Sequence, residues 1–213
     1  MKQNNINKLH FWIHPGCCSD PDYAEEHGVE REVHKRELEQ REKPQLDRLI
    51  QRAEEIGKNE DSLLVVFTHS SESKMRQDLE EGKIYAKTIQ QVQELLGDRC
   101  IILDETNPLL ADHEDELEPV QETYKLMKAI AESRSLIFDS NVLTIAGGVS
   151  AGECVIIGAN SLNAAGWHTK PTYVDLDITD YADFPDRVGK ISEMIRQKEL
   201  DCVTLDPKEA EIQ

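Results

Sequence analysis

The sequence predicts an α/β fold in which a doubly wound, mainly parallel sheet forms the middle of three layers. Short apolar runs of strand length alternate along the chain with longer segments whose apolar residues recur at helical spacing. The apolar runs are continuous, which is typical of parallel strands that are buried on both faces. The 213 residues show no internal repeat, and we expect one domain over residues 1–213.

The first half of the chain contains three predicted strands, at residues 9–14, 63–67 and 100–103. Pro15 and Gly16 end the first strand as a turn. Each of the next two strands follows a predicted helix with an apolar stripe that a glycine closes. The stripes comprise Leu46, Leu49, Ile50, Ala53 and Ile56 before Gly57, and Tyr85, Ile89, Val92 and Leu96 before Gly97.

The second half continues the alternation with predicted strands at 142–146, 173–176 and 202–205. A helix from about Pro119 precedes the first of these strands, a helix that contains Cys154 precedes the second, and a further helix precedes the third. The apolar faces of the outer two helices comprise Val120, Tyr124, Met127 and Ala131, and Phe184, Val188, Ile191 and Ile195.

Charge and cysteine content indicate which partners and which cellular compartment suit this protein. A formal charge of −18, from 42 acidic and 24 basic residues, argues against nucleic acid and anionic membranes as partners. No apolar run approaches the ~20 residues of a membrane span, and the polar N-terminus is too short for a signal peptide. Five scattered cysteines, at 17, 18, 100, 154 and 202, form no disulfide framework. We therefore expect a protein of the reducing cytoplasm.

Cys154 is the first candidate for chemistry. It follows Gly147 and Gly148, which end the predicted strand at 142–146, and it falls in the first turn of a predicted helix. The helix dipole and the free N–H groups of such a turn favour a thiolate and can bind an anion. The alternative is a small buried cysteine in a helix of small residues, and Glu153 beside it opposes a lowered thiol pKa.

Further candidates lie where the predicted strands end. Ligands of doubly wound sheets bind beyond the carboxyl ends of the strands, near the point where the strand order reverses. The residues just past these ends include His14, His69 and Asp104, together with Gly148, Ser150 and Gly152 before Cys154.

The segment around Cys154 resembles the isochorismatase-like cysteine hydrolases, a superfamily that includes nicotinamidases and N-carbamoyl amidohydrolases. The resemblance rests on the segments Ile145-Ala146-Gly147-Gly148, Cys154-Val155 and Gly166-Trp167. Residues 9–13 and 65–68 resemble the family's first two strands, so that roughly half of the chain is covered. The resemblance implies an isochorismatase-like fold and hydrolysis of a small amide-, ester- or imide-like substrate, with no cofactor. Members often self-associate, which also implies a homo-oligomer.

In that family an Asp at the end of the first strand and a Lys before the fourth assist the nucleophilic cysteine. His14 stands at the Asp position here, and the loop 105–118 contains no Lys. We expect Cys154 and His14 to form the catalytic pair, with His14 carrying the proton. Backbone N–H groups of 150–154 would stabilise the oxyanion, and His69, Asp104, Gly148, Ser150 and Gly152 would bind substrate. The alternative for His14 is a hydrogen bond to backbone at a strand end.

Two other functions remain open from the residues. The changed Asp and the missing Lys favour a non-catalytic relative that binds a small ligand or a protein partner. A redox or metal protein built on Cys17 and Cys18 is the third alternative, with His14, Cys17 and His69 as ligands. The Cys-x₂-Cys spacing of structural zinc sites is absent, and we expect no metal.

Residues 19–43 form the least core-like part of the sequence, with at least eight acidic side chains and almost no large apolar ones. We predict that this charged excursion is peripheral and that its amide hydrogens exchange rapidly unless a partner subunit covers it. Hydrogen exchange followed by mass spectrometry measures this directly. Slow exchange in a dilute monomer would contradict the prediction.

Overall fold

The computed structural model describes residues 3–15, 43–68, 80–104, 108–111, 117–148, 154–166, 170–179 and 187–205, with isolated positions 33, 36 and 40. The excursion at 19–43 therefore lies almost entirely outside the described residues. The strands are β1 (Asn4–Asn5), β2 (Lys8–Ile13), β3 (Ser62–Phe67), β4 (Cys100–Leu103), β5 (Leu136–Ile137), β6 (Leu143–Gly148), β7 (Thr172–Val174) and β8 (Val203–Leu205). The α-helices are α1 (Lys43–Gly57), α2 (Glu80–Leu96), α3 (Leu117–Ser133), α4 (Ile156–Ala164) and α5 (Arg187–Gln197).

Six of these strands form one parallel sheet in the order β4-β3-β2-β6-β7-β8. The chain builds outward from β2 to β4 and then returns to the other side of β2 with β6. The winding direction therefore reverses between β2 and β6, as in Rossmann-like sheets. The prediction of an α/β fold with a mainly parallel sheet is confirmed.

Strands β2 and β6 pair in parallel at the centre of the sheet. Lys8 lies opposite Leu143, and the register continues to Ile13 opposite Gly148. The sequence did not reveal the two-residue strands β1 and β5, which pair in parallel as a separate small sheet. Strands this short carry no periodicity from which they could be recognised.

Two apolar cores cover the two faces of the six-stranded sheet. Leu9, Phe11 and Ile13 of β2 belong to the core that α3, α4 and α5 complete. Trp12, one position out of phase, belongs to the core completed by α1 and α2. This alternation follows from the two-residue period of a strand, and it gives the three layers of a doubly wound fold. Within the described helices, none is long and apolar enough to cross a membrane.

The end of β6 depends on two glycines. A Cβ atom at Gly147 would lie 2.4 Å from Cγ1 of Ile178, and one at Gly148 would lie 1.9 Å from the carbonyl oxygen of Ile13. Gly148 also has φ +133°, a conformation that residues with side chains rarely adopt. Both positions therefore require glycine for the close approach of neighbouring chain segments.

Replacing Gly148 with Ala should lower the free energy of unfolding by on the order of 3 kcal/mol, since backbone strain adds to a steric overlap. Gly97→Ala is the matched control, because Gly97 has φ +54° but open space around its Cβ position. There we expect a loss of about 1–2 kcal/mol from backbone strain alone. Urea denaturation measures both, and equal losses would show that the contact with Ile13 is unimportant.

Candidate functional site

The point at which the winding reverses places His14 and Gly148 on neighbouring strands. His14 follows β2 directly, and Gly148 is the last residue of β6, opposite Ile13. Asp104 follows β4, two strands from β2 on the side away from β6. Neighbouring strands lie about 4.8 Å apart, so the backbone of Asp104 lies about 10 Å from the end of β2. The edge thus has an inner pair of candidates and one outlying carboxylate.

His14 adopts an uncommon backbone conformation, with φ +46°. Its N–H donates a hydrogen bond of 2.8 Å to the carbonyl of Phe67, the last residue of β3. The side chain is partly buried. Left-handed conformations are uncommon in residues other than glycine, although histidine adopts them more often than most.

Cys154 lies in a wide, π-like turn that leads into α4, slightly ahead of the regular helix in which the sequence placed it. It is partly buried and packs against the core shared by α3, α4 and α5. One turn later, a Cβ atom at Gly158 would lie 2.9 Å from Cδ1 of Ile13. The helix α4 therefore packs over the end of β2, where Ile13 is followed by His14. Cys154 immediately precedes this helix and packs against the core to which Ile13 belongs.

The other two described cysteines have environments that keep their thiols protonated. Cys100 is only 3% exposed, and burial raises its pKa to about 12. Burial also raises the pKa of the Cys202 thiol, whose Sγ donates a hydrogen bond of 2.9 Å to Oδ1 of Asn160. Both thiols are therefore poor nucleophiles at neutral pH.

Several predicted site residues lie outside the described residues, namely His69, Ser150, Gly152, Cys17 and Cys18. The metal hypothesis needs Cys17 and His69 as ligands beside His14, and it is therefore untested. Among the residues that the structure describes, no group of three His, Cys, Asp or Glu side chains is placed to hold a metal ion.

A buried polar cluster that the sequence did not predict lies beneath α1. Gln45 is 1% exposed, and its Nε2 donates hydrogen bonds to the carbonyls of Gly148 and Ile178. Nη2 of Arg52 lies 2.8 Å from Oδ2 of Asp175, a carboxylate that follows β7 and is largely buried. The available clue was the position of Gln45, four residues before Leu49 and so in line with the apolar stripe of α1.

A cavity of about 550 Å³ lies at the opposite end of the sheet, near the start of β2 and β6. Its wall includes the buried side chains of Ile6 and Phe138, and its polar lining includes Asn7, Asp139 and Lys170. Among the described residues, none of the side chains that line it leaves a buried polar atom without a hydrogen bond. The lining therefore does not specify a ligand.

Comparisons with known proteins returned no match: no model of a protein family, no curated protein and no solved structure matches the chain. The chain is therefore classified by its own topology, as an α/β protein with a Rossmann-like arrangement of parallel strands.

The buried imidazole of His10 gives the polar cluster a pH dependence that can be measured. Burial, reinforced by the positive charges of Arg52 and Lys8, lowers the pKa of His10 from 6.5 to about 4. The unfolded chain therefore binds the proton more readily than the folded chain. The contribution of His10 to stability is present in full above pH 6.5 and is lost as the pH falls towards 4.

We expect wild-type protein to lose about 2–3 kcal/mol more than His10→Gln between pH 6.5 and pH 4.5. Urea denaturation of both proteins across this range isolates the contribution of His10 from that of the carboxylates, which titrate in both. Identical pH dependences would show that His10 does not remain neutral in the folded protein.

Proposed function

We propose that this protein is a cysteine hydrolase of the isochorismatase-like superfamily, acting on a small amide-, ester- or imide-like substrate. The observation that supports the proposal is that Cys154, just before α4, packs against the same core as Ile13, the residue that precedes His14. This is the edge of the sheet, at the reversal of winding, where doubly wound proteins bind ligands.

In the proposed mechanism the thiolate of Cys154 attacks the substrate carbonyl and forms a tetrahedral intermediate. Backbone N–H groups of 150–154 stabilise the negative charge that develops on the carbonyl oxygen. His14 donates a proton to the departing amine or alcohol, which leaves a thioester on Cys154. His14 then accepts a proton from water as the water attacks the thioester, and the acid product leaves with the thiolate restored.

The substrate-binding part of the proposal comprises His69, Asp104, Gly148, Ser150 and Gly152. Asp104 begins about two strand spacings from His14, a distance suited to a polar group at the far end of the substrate rather than to the thiol. Gly148 is buried, and its contribution is to let β2 and β6 approach closely. We place the enzyme in the reducing cytoplasm, where a free thiol persists, and expect a homo-oligomer.

A non-catalytic protein that binds a small ligand or a protein partner is the second candidate. Two observations favour it: His14 replaces the family's Asp, and residues 105–118 contain no Lys. An imidazole can hold and return a proton, but it carries no fixed negative charge. The enzyme requires a reactive Cys154 thiol, whereas the binding protein does not, so the reactivity of Cys154 distinguishes the two candidates.

Iodoacetamide at pH 7 should modify Cys154 faster than any other cysteine. A helix N-terminus stabilises an anion by roughly 0.3–1 kcal/mol, which lowers a thiol pKa by less than about one unit. Stronger activation requires His14. His14→Ala should therefore slow the modification of Cys154 about tenfold, the effect of one pKa unit on the thiolate fraction.

Peptide mass spectrometry follows each cysteine separately, and buried Cys100 provides the unreactive reference. His113→Ala is the control, since His113 lies in a charged segment away from the predicted strand ends. An inert Cys154, or one that reacts equally fast without His14, would refute the catalytic pair and favour the binding protein.

A further inference from the structure

Gln45 is a fully buried amide that links two chain segments distant in sequence. It lies near the N-terminus of α1, and its Nε2 is 3.2 Å from the carbonyl oxygen of Gly148 and 3.4 Å from that of Ile178. Gly148 ends β6, and Ile178 belongs to the segment that follows β7. One side chain therefore links the end of β6, from which the chain continues towards Cys154, to the segment that follows β7.

The orientation of this amide is fixed by its partners. Both are carbonyl oxygens, which accept hydrogen bonds, so a flipped amide would place Oε1 against two other acceptors. In the observed orientation Oε1 is buried and has no hydrogen-bond partner. A buried polar atom without a partner costs about 1–3 kcal/mol, a cost that an apolar side chain of similar size would avoid. Packing alone therefore does not explain a glutamine here.

The bond to Gly148 acts on a strained and sterically crowded residue. Gly148 has φ +133°, and its Cβ position overlaps the carbonyl of Ile13. Because a peptide unit is planar, holding the Gly148 carbonyl fixes the plane of the peptide with which the chain leaves β6. The same side chain also holds Ile178, whose side chain fills the space beside Gly147. Gln45 of α1 therefore holds the backbone at the point where the chain leaves β6.

We propose that Gln45 is a positioning residue for Cys154: it sets the direction in which the segment between Gly148 and Cys154 begins. Gln45 lies on the α1 side of the sheet, opposite the α4 side that carries the thiol, and so acts through the backbone rather than on the substrate. This inference rests on the proposed function, in which that segment supplies the N–H groups facing the oxyanion.

The test replaces Gln45 with Met, which keeps the volume and removes the donor. Gln45→Leu provides a second apolar replacement. Ala53→Gly is the matched control: Ala53 is buried in the same helix, and Gly costs about 1 kcal/mol of helix stability without touching Gly148. Urea denaturation establishes that each variant is folded and by how much it is destabilised.

Two measurements follow on each folded variant. Hydrogen exchange of the peptide spanning 147–156 reports on the exit segment itself, whether or not Cys154 reacts. In Gln45→Met we expect exchange there at least about threefold faster than in Ala53→Gly. The pH profile of Cys154 modification by iodoacetamide reports on the thiol. We expect a rate about threefold lower at pH 7, with the rate at pH 9.5 unchanged, since the pKa alone should move.

Unchanged exchange in both apolar variants would overturn the positioning role. A pH profile equal to that of the wild type, with a reactive Cys154, would overturn it as well. If wild-type Cys154 is inert, the proposed function fails by itself, and the exchange measurement then decides whether Gln45 holds the segment.

Discussion

The contact between Ile13 and Gly148 is the constraint on which the candidate site depends. These residues are opposite each other at the ends of β2 and β6, and a single added carbon atom at Gly148 would overlap the Ile13 carbonyl. His14 continues from one side of this contact, and the segment that leads to Cys154 continues from the other. The Ile13 side chain also packs against Gly158, and this contact lets α4 lie close to the sheet. The absence of a side chain at these two glycines thus lets β2, β6 and α4 pack closely at this edge of the sheet.

The two faces of the sheet contribute differently at this point. On the α4 side, small residues let the helix approach the sheet, and the partly buried Cys154 lies within that layer. On the α1 side, polar groups are buried: Gln45 binds the end of β6, and Arg52 pairs with Asp175 after β7. Burial keeps His10 neutral there, because a second positive charge beside Arg52 would be poorly solvated. In the proposed function, the α4 side carries the reacting thiol, and the α1 side holds the backbone at the end of β6.

Burial also distinguishes cysteines that look alike in the sequence. Cys100 lies inside β4, where an anion would be stripped of water, and Cys202 is partly buried beside Asn160. Cys154 instead precedes a helix at the edge where strands end. A large negative charge on the whole chain disfavours any additional anion, so a reactive thiolate here needs a local source of positive potential. In the proposed function, the helix N-terminus and the His14 imidazole are the two groups that would supply it.

The sequence by itself determined the order and type of the main elements, because buried strands and amphipathic helices leave apolar periods that do not depend on distant residues. It also indicated that His14 and the Gly147–Gly148 pair lie at the ends of strands. Tertiary structure alone decided the partners of Gln45 and Asp175, the short pairing of β1 with β5, and the left-handed conformation of His14. Each of these depends on a contact between residues far apart in the chain. Such contacts form only when the layers pack, and they leave no pattern in the local sequence.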